Sequence, residues 1–166
     1  AGKVLYLAKD GEFDDIVLIC LYDIYDEKQK TAIVKSSEIR GNKTYYSLLV
    51  DGKEYSFVSD VASVAYIGTA LKVDFEGNSI SFIRGSVDAE AISTSIRAID
   101  AKRVKINDSV YLFKSNTTIY YMDSRGVIKQ IGISDIDLTK TYSRVAVYLD
   151  KPGEIDGRAE VIFIVE

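Results

Sequence analysis

The chain has 166 residues, 47% of them apolar and 28% charged, with a net charge of −4 and a pI near 5.0. That is enough apolar material for a core, and the acidic balance excludes a nucleic-acid binder, whose phosphate partner demands a basic face. Histidine is absent, which excludes Ser-His-Asp and Cys-His nucleophiles and the commonest zinc sites as they are usually built.

Strand signals dominate from the start. Ala1-Gly2-Lys3 leads almost at once into Val4-Leu5-Tyr6-Leu7, the opening expected of a piece of a longer protein. No signal peptide is visible, and no apolar run reaches membrane-spanning length. The polar stretch Lys9 to Asp15 follows, then a strand over Ile16 to Tyr25, a turn at 26–30 and a strand over Thr31 to Val34. The lone Cys20 sits in the apolar run 16–21 with no basic neighbour to lower its pKa, so it reads as a buried, inert thiol. One cysteine permits no intrachain disulfide and leaves the redox compartment open.

Tyr45 to Val50 and Lys53 to Val58 flank Asp51-Gly52, a dipeptide suited to a two-residue hairpin because both central positions need positive φ. Leu71 to Phe75 and Ile80 to Ile83 alternate cleanly about Glu76-Gly77-Asn78, predicting a hairpin with one core face and one wet face. In Val87 to Ile99, Ala89, Ala91, Ile92, Ile96 and Ile99 fall at roughly helical spacing, while Ser93-Thr94-Ser95 favours an extended linker; both readings stand. Further strands are expected over Arg103 to Ile106, Ser109 to Phe113, Thr118 to Met122, Val127 to Ile131, Arg144 to Leu149 and Arg158 to Val165. Asn107-Asp108, Ser115-Asn116 and 123–126 supply the turns, and the single Pro152 sits in another, where its missing N–H does no harm.

One pattern recurs. Asp51-Gly52, the strand 53–58 and Ser59-Asp60-Val61 are matched about seventy-five residues further on by Arg125-Gly126, the strand 127–131 and Ser134-Asp135-Ile136. An alternating strand, a polar turn and a final apolar strand follow each. The expectation is an all-β chain of two small antiparallel barrel- or sandwich-like modules, SH3-like or OB-like, the second a copy of the first. Residues 1–86 form the first module, 87–101 a linker with or without a short helix, and 102–166 the second.

Candidate sites are few. Lys9-Asp10-Gly11-Glu12-Phe13-Asp14-Asp15 alternates acidic oxygens around a glycine, as calcium loops do, but Lys9 stands where a ligand is wanted and no glutamate closes the loop. Tyr22 and Tyr25, Tyr45 and Tyr46, and Tyr120 and Tyr121 are candidates for stacking on sugar rings. Adjacent tyrosines in a strand face opposite ways, so no pair makes a platform by itself, and sheet packing explains them as well. Asp60 and Asp135, each after a serine, read as caps of a turn or short helical turn. Lys102-Arg103-Val104-Lys105 alternates as a solvated strand face. No catalytic, cofactor-binding or metal-ligating residue is assigned, and no cofactor is expected.

The segments Asp10-Gly11-Glu12-Phe13-Asp14-Asp15-Ile16-Val17, Ser59-Asp60-Val61 and the closing 159–166 run resemble strand-rich modules of bacterial cell-surface proteins that carry S-layer homology domains, of the anaerobic Gram-positive type. The wall-anchoring repeats themselves are not in this sequence, and the likeness carries over no functional residue. It implies a secreted, non-enzymatic structural or interaction module at the cell wall. Its partners would be a cell-wall component or another surface protein, with no nucleic acid and no membrane insertion. The alternative is a module that binds wall polysaccharide and is attached to a hydrolase.

Overall fold

The computed structural model describes the backbone of residues 2–9, 16–24 and 29–166, and the side chains of 29–166. β1 (Gly2–Lys9) and β2 (Ile16–Ile24) pair antiparallel as a sheet of their own. The rest is all-β, in two small curled sheets, each a half-barrel.

The first sheet contains β3 (Gln29–Arg40), β4 (Lys43–Val50), β5 (Lys53–Ser59), β6 (Ala70–Glu76) and β7 (Ser79–Ser86), in the order β5-β4-β3-β6-β7 and antiparallel throughout. The predicted two-residue turn is present. Val50 pairs with Lys53, and Asp51 and Gly52 adopt φ of 49° and 75°, the left-handed values such a hairpin requires. Curling brings the edge strands β5 and β7 into contact, which covers both edges. β3 is longer than its apolar run predicts. A register shift between Val34 and Ser36 lets the polar stretch to Arg40 continue the ladder with β4.

The second sheet contains β8 (Ala91–Ser93), β9 (Ala98–Ile99), β10 (Arg103–Ile106), β11 (Ser109–Met122), β12 (Ile128–Gln130), β13 (Arg144–Leu149) and β14 (Ala159–Val165), with a 3-10 turn over Ile133–Asp135. Its order is β8-β13-β14-β11-β10-β9, and β12 joins β11. The Val87 to Ile99 stretch is not helical. β8 pairs with β13 and β9 with β10, so its serine- and isoleucine-rich residues serve the second sheet as strands. The chain crosses between sheets just before β8: Val87 N–H bonds the Ala70 carbonyl, and Glu90 N–H bonds the Val147 carbonyl.

The second half is not a copy of the first. Both contain a pair of hairpins at corresponding places in the sequence repeat, β4–β5 and β6–β7 in one, β11–β12 and β13–β14 in the other. In the first sheet the later hairpin joins through β6, antiparallel to β3; in the second it joins through β14, parallel to β11. β11 also departs from the expected pattern in its length. Ser115-Asn116, expected as a turn between two strands, lies inside one 14-residue strand at a register shift against β14. Thr117 secures the irregularity, its hydroxyl donating to the Ala159 carbonyl at 2.6 Å and accepting from Lys114 N–H at 2.7 Å. One long strand thereby reaches β10, β12 and β14.

Three apolar clusters result. Ala32, Val34, Tyr46, Leu48, Val50, Leu71, Val73 and Ile80 fill the first sheet. Ile96, Val104, Ile106, Ile119, Val145, Val147, Ile162 and Ile164 lie in the core of the second. The third belongs to both: Ile33 and Ala70 from one sheet meet Tyr120, Ile128, Ala146, Tyr148, Val161 and Phe163 from the other. The alternation explains it. Ile33 points away from Ala32 and Val34, as Ala146 and Tyr148 point away from Val145 and Val147. The central strands are therefore apolar on both faces, one face for the module's own core and one for the seam.

Candidate functional site

The seam also carries polar chemistry. Glu160 is only 3% exposed, and its carboxylate accepts from the Thr31 hydroxyl at 2.6 Å and from the Lys72 ammonium at 3.4 Å. Such an ion pair adds little net stability over an apolar replacement, yet removing one partner strands a buried charge. It fixes how the two sheets meet. The Tyr120 phenol accepts from Gly52 N–H at 2.9 Å, and burial first of all holds its pKa above the usual tyrosine value. Gly68 and Gly52 permit the close approach. A Cβ on Gly68 would lie 2.9 Å from the Phe163 ring, and one on Gly52 would lie 2.3 Å from the Gln130 side-chain oxygen.

A groove of about 530 Å³ opens on the second module, lined by Tyr121, Lys129, Gln130, Ile131, Asp135, Asp137, Lys140 and Tyr142. β11 and β12 place Tyr121 directly opposite Lys129, whose ammonium lies 5.5 Å from the ring centre. The loop from Ile131 to Ser143 forms the other wall. The buried Tyr142 ties that loop together, its phenol donating to the Asp137 carbonyl at 3.0 Å and accepting from Asp137 N–H at 3.2 Å. The Lys140 ammonium stands 6.0 Å and 5.7 Å from the Tyr121 and Tyr142 ring centres and 3.3 Å from Glu166.

Electrostatics here are local. Ser124 N–H, then Lys140 and Tyr121, hold the Glu166 carboxyl below its ordinary range. Burial, then Glu166, raises the Tyr121 phenol, and the Glu166 hydrogen bond raises Lys140. The Thr139 hydroxyl and N–H lower Asp137. A smaller hollow of about 250 Å³ lies by Ala98, Asp100, Arg103 and Val110, where Asp100 and Arg103 already pair at 3.1 Å.

Of the residues singled out in the sequence, the structure gathers few. The acidic stretch 10–15 and Tyr25 lie outside the described residues, as do the side chains of Lys9, Cys20 and Tyr22. Tyr46 is in the first core, its phenol donating to the Ser63 carbonyl at 2.9 Å, while Tyr45 faces out beneath the Arg40 guanidinium, 5.0 Å from the ring centre. Tyr120 is at the seam and Tyr121 in the groove, as strand alternation requires. Asp135 does bond a nearby backbone group, accepting from Gly132 N–H at 2.8 Å. Asp60 instead pairs with Lys43 at 2.9 Å, and the Ser59 hydroxyl takes the Val61 N–H. Arg103 and Lys105 are exposed between buried Val104 and Ile106, the solvated face expected. Lys129, Asp137, Lys140 and Tyr142 were not singled out in the sequence. They come from a strand and a loop that no motif unites, and only Gly132 followed by closely spaced aspartates marks the place.

Among the described residues no group of three or more Cys, Asp or Glu is placed to hold a metal ion, and no helix is long and apolar enough to cross a membrane. Comparison with protein-family models, curated proteins and solved structures returns no match.

Proposed function

We propose that the chain is a non-catalytic structural or interaction module of a secreted bacterial protein associated with the cell wall or S-layer. The observation that carries this reading is the seam. A shared apolar cluster and the buried contact of Glu160 with Thr31 and Lys72 join two small sheets that would otherwise hinge. Joined domains in one chain move relative to each other unless their interface is substantial and apolar, so such a seam suits a part that must hold its shape. The resemblance to strand-rich regions of wall-anchored proteins supports the location, and the acidic net charge suits a surface that repels its copies in solution.

The test is fractionation of cells making the full parent protein, probed with an antibody to this chain. Recovery in the wall fraction, released by agents that strip surface layers, is expected. Recovery wholly in the cytosol defeats the reading.

A further inference from the structure

We propose that the groove of the second module is a saccharide-binding site that takes a neutral, hydroxyl-rich sugar unit. Its volume of about 530 Å³ falls within the range of small-molecule sites, roughly 300–1,000 Å³.

The lining offers donors and acceptors in balance. Lys129 makes no ion pair among the described residues; its ammonium sits only against the Tyr121 ring and is available to donate. Asp135 commits Oδ2 to Gly132 N–H, and Asp137 commits Oδ1 to the N–H and hydroxyl of Thr139. Lys140 N–H also turns to the Asp137 carboxylate, and the four lone-pair sites of each carboxylate leave both aspartates further capacity to accept. Neighbouring sugar hydroxyls both donate and accept, and they match such a set. The charge balance excludes stronger ions. An anion drawn to Lys129 meets Asp135 and Asp137, with Glu166 already holding Lys140, and a cation drawn to the aspartates meets Lys129.

Two further observations support the assignment. The Tyr142 phenol clamps both backbone groups of Asp137, and Tyr142 N–H bonds the Thr94 carbonyl at 2.8 Å, so the wall is preorganised before any ligand arrives. The matching loop of the first module is tied down differently. It lies along its own sheet, held by Thr44 to Val61 and Ser63, by Tyr46 to Ser63 and by Ser37 to Ala65. After comparable hairpins, one loop is tied to the sheet it follows and the other borders the groove.

The groove lies wholly on the second module, so failure of this proposal and failure of the wall-location reading are separately visible. The experiment is an amide NMR titration of the whole chain with two neutral probes, maltohexaose and the hexamer of N-acetylglucosamine, up to about 10 mM, the reach needed for a weak site. Shifts centred on residues 129–142 with at least one probe are expected. Lys129→Ala and Asp137→Asn should each weaken binding about five-fold, the loss of one hydrogen bond, with the rest of the spectrum unchanged. No shift in the groove with either probe, shifts centred elsewhere, or binding that both variants retain in full would overturn the proposal. So would a response to an acidic galacturonate oligomer alone.

Discussion

The two modules use their exposed carboxylates in different ways. In the first, acidic side chains answer to cations: Glu38 is lowered chiefly by Arg40, and Glu54 by Lys35 and then Ser47. In the second, several answer first to backbone N–H groups: Asp100 to Lys102, Asp123 to Val127, Glu166 to Ser124. The first module, antiparallel throughout, leaves these exposed carboxylates to surface pairing. The second has a parallel join and a long loop beside the groove, and it uses carboxylates to hold turn backbone. Between them lies a seam that neither half owns.

The sharpest way to break the comparison is to remove a large, wholly apolar side chain from the seam. Phe163→Ala is expected to cost about 3–5 kcal/mol in denaturant unfolding, the range for a buried aromatic truncated to alanine. Probes in both modules should report the same lowered midpoint. A shift confined to the second module would mean that the seam does not couple them.

Lys72→Met leaves the Glu160 carboxylate buried without its cation and should cost about 3 kcal/mol. Pairing it with Glu160→Gln should restore much of that loss, because the penalty comes from the stranded charge. A double variant as unstable as the single one contradicts this. Gly68→Ala is expected to cost about 1–2 kcal/mol from its positive φ alone, with more from the close Phe163 ring. A crystal structure of that variant should show the two sheets displaced at Phe163.

The smallest effect concerns acid. The carboxylates named above have folded pKa values below their unfolded ones, so their stabilisation is present above the ordinary carboxylate range near 4 and is lost as pH falls through the lower folded values. Stability should therefore hold from neutrality to about pH 5 and then decline. Salt screens exposed ion pairs more than hydrogen bonds to backbone. In carboxyl NMR titrations, added salt should move Glu38 and Glu54 toward ordinary values while Asp100 and Asp123 stay low. Equal salt responses in the two sets would remove this distinction.

Much of the fold was legible in the sequence because two local rules were strong. Asp51-Gly52 demanded a tight hairpin, and the alternation about Gly77 fixed which face of β6 and β7 is wet. The failures are physical too. Ser115-Asn116 has turn composition, but Thr117 bonding to Ala159, distant in sequence, draws it into one long strand. The apparent copy arose because hairpins recur locally, whereas the way a hairpin joins its sheet depends on contacts that no local pattern records. A clue to the seam was present: Thr31 to Val34, Val145 to Leu149 and Val161 to Val165 are unbroken nonpolar or near-nonpolar runs, the mark of strands covered on both faces. The groove was scarcely legible, since its lysines, aspartates and tyrosines meet only after β12 and the loop behind it fold together.

The most direct measurement is calorimetry of the whole chain, with the unfolding enthalpy compared to its van't Hoff value and unfolding followed site by site in each module. A welded pair predicts one transition, equal enthalpies and coincident melting of Val34 in the first core and Ile162 in the second. Two separated transitions, with one sheet persisting after the other has melted, would contradict the claim that the seam makes them a single body.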